Sequence, residues 1–107
     1  MAVSQPDIDR ALELFGGLGD LTTRKMFGGM AFYHSGTVFA VLMSDGTLRL
    51  KAQGGMIDRM QELGSSQWTF QRPGQKESSM PYWDMPDAAL DDPEEATGLA
   101  REALSYL

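Results

Sequence analysis

The chain reads as an α+β domain in which three helices pack against an antiparallel sheet of about five to six strands. Three observations carry that reading. Apolar residues recur at helical spacing near both ends and once in the middle; residues 30–52 break into short apolar pieces of strand length; and Gly-containing turns separate those pieces. At 107 residues the chain is a single domain, 1–107, long enough to bury one core without staples.

The elements follow in order. Ile8, Leu12 and Phe15 recur at i, i+4 and i+7 with Ala11 on the same side, Pro6 near the first turn and Gly16-Gly17 as a stop, predicting a helix over 6–16. Strand-like pieces come next at 22–27, 30–34, 37–44 and 47–52. Ser35-Gly36 joins the second to the third and Asp45-Gly46 the third to the fourth, so 30–52 should form a three-stranded meander. Asp-Gly in particular predicts a two-residue turn with both positions at positive φ. Met56, Ile57, Met60 and Leu63 predict a helix over 55–63, with Gly64 just past its end. Gln67 to Arg72 alternates, placing Trp68 and Phe70 on one face, and Pro73-Gly74 makes a turn. A return strand at 78–84 contains Pro81, which suits a sheet edge. Asp92-Pro93-Glu94-Glu95 supplies a cap, a first-turn proline and first-turn acids to a terminal helix buried through Leu99, Ala100, Ala103, Leu104 and Leu107. The order is α-β-β-β-β-α-β-β-α.

Charge and composition narrow the function classes. Residues 1–80 balance eight acids against eight bases, whereas 81–107 hold seven acids and Arg101 alone, so the whole net charge of −6 lies in the last quarter. Direct nucleic-acid binding draws its affinity from Lys and Arg on phosphates, and a chain without a basic surplus is poorly suited to it. No cysteine is present, which removes disulfides, thiol catalysis and thiolate metal sites. The N-terminus lacks a basic start followed by an apolar stretch, and the longest apolar run, Val38 to Met43, is far below the ~20 residues of a membrane span. A soluble cytoplasmic protein without membrane association is expected.

No catalytic set, metal site or cofactor motif emerges. His34 stands alone at a strand end beside Ser35-Gly36, and Asp91, Asp92, Glu94 and Glu95 are better explained as cap and dipole charges. The expectation is therefore a chain that is not an enzyme and needs no cofactor. The suggestive constellation is basic. Arg49 and Lys51 share the strand face opposite Leu48 and Leu50, and Arg24 or Lys25 could join them beside the Gly28-Gly29 backbone to receive a small phosphate or carboxylate. Trp68 and Phe70 could stack against Met80 and Tyr82, while Trp83, of opposite parity to Tyr82, is expected to be exposed as an interaction residue.

The run Thr23-Arg24-Lys25-Met26-Phe27-Gly28-Gly29 is joined by Leu48 and Lys51, Phe70, Met80-Pro81-Tyr82, Pro86 and the helix entry Leu90-Asp91-Asp92-Pro93-Glu94. Together these resemble the TfoX (Sxy) N-terminal domain family over residues 8–106. The resemblance implies a compact α/β fold with an antiparallel sheet in a bacterial cytoplasmic protein. It also implies a regulatory role, because family members include natural-competence regulators that act with a cyclic-AMP-dependent transcription factor. Those regulators carry a second, C-terminal domain, so the expectation here is a stand-alone domain; the family brings no catalytic residues with it. Taken together, the expected function is a non-enzymatic regulatory or protein-interaction domain, a homodimer whose partners include the transcription machinery. The alternative is a binder of small anions at Arg24, Lys25, Gly28, Gly29, Arg49 and Lys51.

Overall fold

The computed structural model describes residues 3–26, 28–70, 73–76 and 78–107. Phe27 of the glycine motif, Gln71 and Arg72 at the end of the expected fifth strand, and the side chain of Phe70 lie outside the described residues. The element order is α1 (Gln5–Leu14), β1 (Leu21–Met26), β2 (Gly29–His34), β3 (Thr37–Leu42), β4 (Leu48–Lys51), α2 (Gly55–Glu62), β5 (Gln67–Phe70), β6 (Ser78–Asp84), α3 (Asp87–Leu90) and α4 (Pro93–Leu104). The predicted α+β order holds, with the one-turn α3 as an addition before the terminal helix.

Both long helices start as their sequences dictate. The Ser4 hydroxyl accepts the Asp7 N–H at 3.3 Å, and the Asp92 carboxylate accepts the Glu94 and Glu95 N–H groups at 3.1 and 3.4 Å, each followed by a proline that gives up no hydrogen bond there. α1 buries Ile8, Ala11 and Leu14, α2 buries Met56 and Met60, and α4 buries Ala96, Leu99, Ala100 and Ala103. The two terminal helices are tied by a buried hydroxyl: Thr97 donates to the Leu14 carbonyl at 2.8 Å, satisfying an acceptor that the end of α1 would otherwise leave bare.

All six strands form one antiparallel sheet in the order β1-β2-β3-β4-β6-β5. Phe32, Ala40, Leu42, Leu48, Leu50 and Trp83 face the helices and join their apolar stripes in the main core. A bulge sets the aim of β3: Phe32 pairs with Ala40 but Tyr33 with Val38, so Phe39 is the extra residue, and both Phe39 and Ala40 are fully buried on the helix side.

One turn departs from its expected form. Asp45-Gly46 lies in a three-residue loop between Met43 and Thr47, which pair through the Met43 N–H and Thr47 carbonyl at 2.8 Å; Gly46 alone has positive φ, at 89°. The Asp45 carboxylate instead accepts the Thr47 N–H at 2.9 Å, which favours this wider turn. Ser35-Gly36 is the two-residue turn with both positions at positive φ, 48° and 84°. Ser35 tolerates that conformation because its N–H and hydroxyl both bond Asp20, at 3.2 and 2.9 Å.

Pro81 also corrects an expectation. β6 is not an edge strand; it lies between β4 and β5. The proline is accommodated because pairing with β5 is interrupted there: Gln67 pairs with Trp83 and Thr69 with Ser79, so the ladder skips the residues between. The Pro81 carbonyl still accepts the Ala52 N–H at 2.9 Å, and the Gln67 side-chain amide reaches the Met80 carbonyl at 3.0 Å. A missing N–H costs little at such a bulge. The edges are β1 and β5. Among the described residues no helix is long and apolar enough to cross a membrane.

Candidate interaction face

A sheet with helices on one side leaves its other side to be explained. Ala31, Val41 and Tyr82 are buried on that side, yet no helical residue belongs to their cluster. They are covered by side chains of the sheet itself and of the β3–β4 loop: Met26, Tyr33, Val38, Met43, Trp68 and Met80 pack around them, all half-buried. The result is an apolar floor on a sheet face that antiparallel proteins usually keep polar.

Strand register puts the cations on the same face. Arg24 pairs with Ala31, Ala31 with Val41, Val41 with Arg49 and Arg49 with Asp84, a single row across five strands. Lys51 pairs with Tyr82 in the next row. Arg49 is fixed twice, by a 2.8 Å ion pair to Asp84 and by its guanidinium 5.2 Å from the Trp68 ring centroid. Arg24 lies 5.8 Å from the Tyr33 ring centroid. These guanidinium groups lie across aromatic faces, and their aliphatic stems help to shield the floor. Trp68 and Tyr82 meet at 6.4 Å between centroids, as their alternation suggested.

The predicted anion site does not assemble as one pocket. Arg24, Arg49 and Lys51 share the open face, but three strand spacings, roughly 14 Å, separate Arg24 from Arg49 along their row. Lys25 has the opposite parity: it pairs with Met30 and lines a cavity on the helix side together with Gly28 and Gly29. The two glycines have separate structural reasons. Gly28 adopts a φ of +75° in open space, whereas a Cβ on Gly29 would collide with the Leu42 carbonyl oxygen and lie 3.0 Å from its carbon. Trp83 is a further correction. It is only 5% exposed, because its partner Leu50 points into the helix-side core and takes Trp83 with it. Its indole N–H is buried without an acceptor among the described residues. Among the described residues the aromatics on the open face are Tyr33, Trp68 and Tyr82; Tyr33 was not singled out in the sequence, because its register beside the bulge could not be read there.

His34 serves the fold. Its Nδ1 lies 2.7 Å from the Gly19 carbonyl oxygen and anchors the loop before β1. Among the described residues no group of three or more His, Cys, Asp or Glu is placed to hold a metal ion.

Burial pushes the Tyr82 phenol above its ordinary value of 10.0, and the nearby Tyr33 phenol adds to the shift. A group whose folded pKa is raised stabilises the fold fully below the unfolded value, and that contribution is lost as pH rises through the folded one. Stability measured by urea unfolding is therefore expected to fall above about pH 10, and Tyr82→Phe should flatten that alkaline slope. An identical slope in the variant would remove Tyr82 as its cause.

With this architecture in place, comparison with known sequences is decisive for ancestry. The family profile described as TfoX N-terminal domain matches residues 13–106. The chain belongs to the TfoX N-terminal domain family. No curated protein matches it. In this TfoX N-terminal domain the glycine motif sits at the β1–β2 turn, and Lys51 and Tyr82 stand opposite one another on the open face.

Proposed function

We propose that this TfoX-type domain is a non-enzymatic regulatory module that binds a protein partner through the helix-free face of its sheet. The carrying observation is the second apolar cluster, Ala31, Val41 and Tyr82 with Tyr33, Val38, Trp68 and their methionine neighbours, on the side without helices. An apolar centre with aromatic and Arg residues around it has the make-up of a protein interface. Arg24, Arg49 and Lys51 stand on that face, with Asp84 paired to Arg49, so the partner segment is acidic as well as apolar. Family membership supports a regulatory role for that contact, with the transcription machinery as the partner class suggested by the competence regulators. Duplex nucleic acid is disfavoured as the partner, since the net charge of −6 opposes it.

The homodimer expected from the sequence is proposed to form away from this face. Two copies meeting face to face would oppose the same three cations across a dyad, whereas edge strand β1 offers a second copy a strand to extend. Light scattering that returns a monomer would remove the dimer without touching the partner face.

The face itself is tested by amide-shift titration with two peptides of equal length, one alternating Glu with Leu and Phe, the other carrying Lys in place of Glu. The acidic peptide is expected to shift amides of β1–β4 and β6, and Arg24→Glu with Lys51→Glu should weaken it by about tenfold or more. Equal responses to both peptides, or no response to either, would overturn the reading.

A further inference from the structure

A cavity of about 450 Å³ opens on the helix side of the β1–β2 turn, away from the interaction face. Its walls are Val3 and Ile8 from the start of the chain and α1, Met30 from β2, and the backbone at Gly28 and Gly29. Gln5 borders it, but its side-chain amide is engaged with the Asp9 carboxylate at 2.8 Å. Among the described residues Lys25 is the one cation in the lining. It makes no ion pair among the described residues, and its strand position beside Met30 directs it to this side of the sheet.

We propose that this cavity binds a small amphipathic monocarboxylate, with the acyl or aryl body against Ile8 and Met30 and the carboxylate on the Lys25 ammonium. The volume lies within the range of small-molecule sites, and mostly apolar walls with a single placed charge are their usual make-up. One ammonium matches one negative charge. A phosphate ester or nucleotide would bring two or more charges and a large polar surface into a cavity with no second cation among the described residues. The glycines give the ligand room: nothing lies within 4 Å of the place a Gly28 side chain would occupy. Gly29 must be bare for a different reason, its approach to Leu42, and this leaves the cavity floor as backbone. The site shares no residue with the open face, so it stands or falls independently of the proposed partner binding.

The probes are octanoate, benzoate and the neutral isostere 1-octanol, titrated into the intact chain and followed by amide shifts. Octanoate or benzoate is expected to shift Ile8, Gly28, Gly29 and Met30 with a saturable curve, and octanoate should bind more tightly than 1-octanol. Lys25→Gln should lower octanoate affinity by about tenfold, the loss of one charge-assisted contact, while leaving 1-octanol unchanged. Because Lys25 is exposed, the variant is expected to fold as the parent does, and an unchanged unfolding midpoint checks this. Ile8→Ser should weaken octanoate and 1-octanol together. Shifts confined to other residues, or equal octanoate affinity in the parent and Lys25→Gln, would overturn the proposal.

Discussion

Gly29→Ala is expected to lower the free energy of unfolding by about 3 kcal/mol, the upper end of what overpacking costs. The reason is what the new methyl would meet. At Gly29 it falls on the Leu42 carbonyl oxygen and 3.1 Å from the Met43 Cα, both backbone, so no side chain can swing aside. Relief requires β2 and β3 to part where Met30 pairs with Leu42, and the ladder loses hydrogen bonds to make room. Gly28→Ala is the control. Its φ of +75° makes any side chain strained, but the space around it is open, so about 1 kcal/mol is expected from left-handed backbone alone. Urea unfolding should therefore rank Gly29→Ala well below Gly28→Ala, with a gap of several degrees in the thermal midpoint. Equal losses at the two positions would mean that the close approach to Leu42 is not what the second glycine serves.

That contrast also marks how far the sequence could be read. The two adjacent glycines serve different ends, a positive φ at Gly28 and a close approach at Gly29. The second is a long-range contact between residues 29 and 42, which no local pattern encodes. The same limit explains the turns and Pro81. Asp-Gly was expected to form the two-residue turn, but that turn forms at Ser35-Gly36, where Asp20 from the preceding loop bonds Ser35. Pro81 was assigned to an edge by its missing N–H, but burial decided strand order: Tyr82 and Trp83 are buried on opposite faces, so β6 takes the inner place and a bulge absorbs the proline. For the candidate site, period-two alternation put Arg49 and Lys51 on one face but left open whether Arg24 or Lys25 joins them; the strand register puts Arg24 there and Lys25 on the other side. It could not show that the face has an apolar floor, because Ala31, Val41 and Tyr82 come from three strands and meet only in the sheet.

Phe15→Ala should be the most damaging single change in the core, at about 3–5 kcal/mol. Phe15 is the residue just after α1, and its ring is wholly buried where the helix meets the sheet. It stands edge-on to Phe39, with centroids 5.0 Å apart and planes at 82°, and to Phe32 at 6.0 Å and 60°. Each such pair adds about 0.5–1.5 kcal/mol beyond the area it buries. Truncation therefore removes transfer energy, two ring contacts and the packing that keeps the bulged Phe39 turned toward the helices. Small domains hold only about 5–15 kcal/mol in total, so Phe15→Ala consumes a large fraction of it. Phe15→Leu keeps most of the volume and should cost about 1.5 kcal/mol or slightly more, which supplies a folded variant for a double-mutant cycle with Phe39→Leu. A coupling near 1 kcal/mol in denaturant unfolding would locate the loss in the ring pair. Additive losses would assign it to burial alone, and the bulge at Phe39 would then be needed only to fill volume.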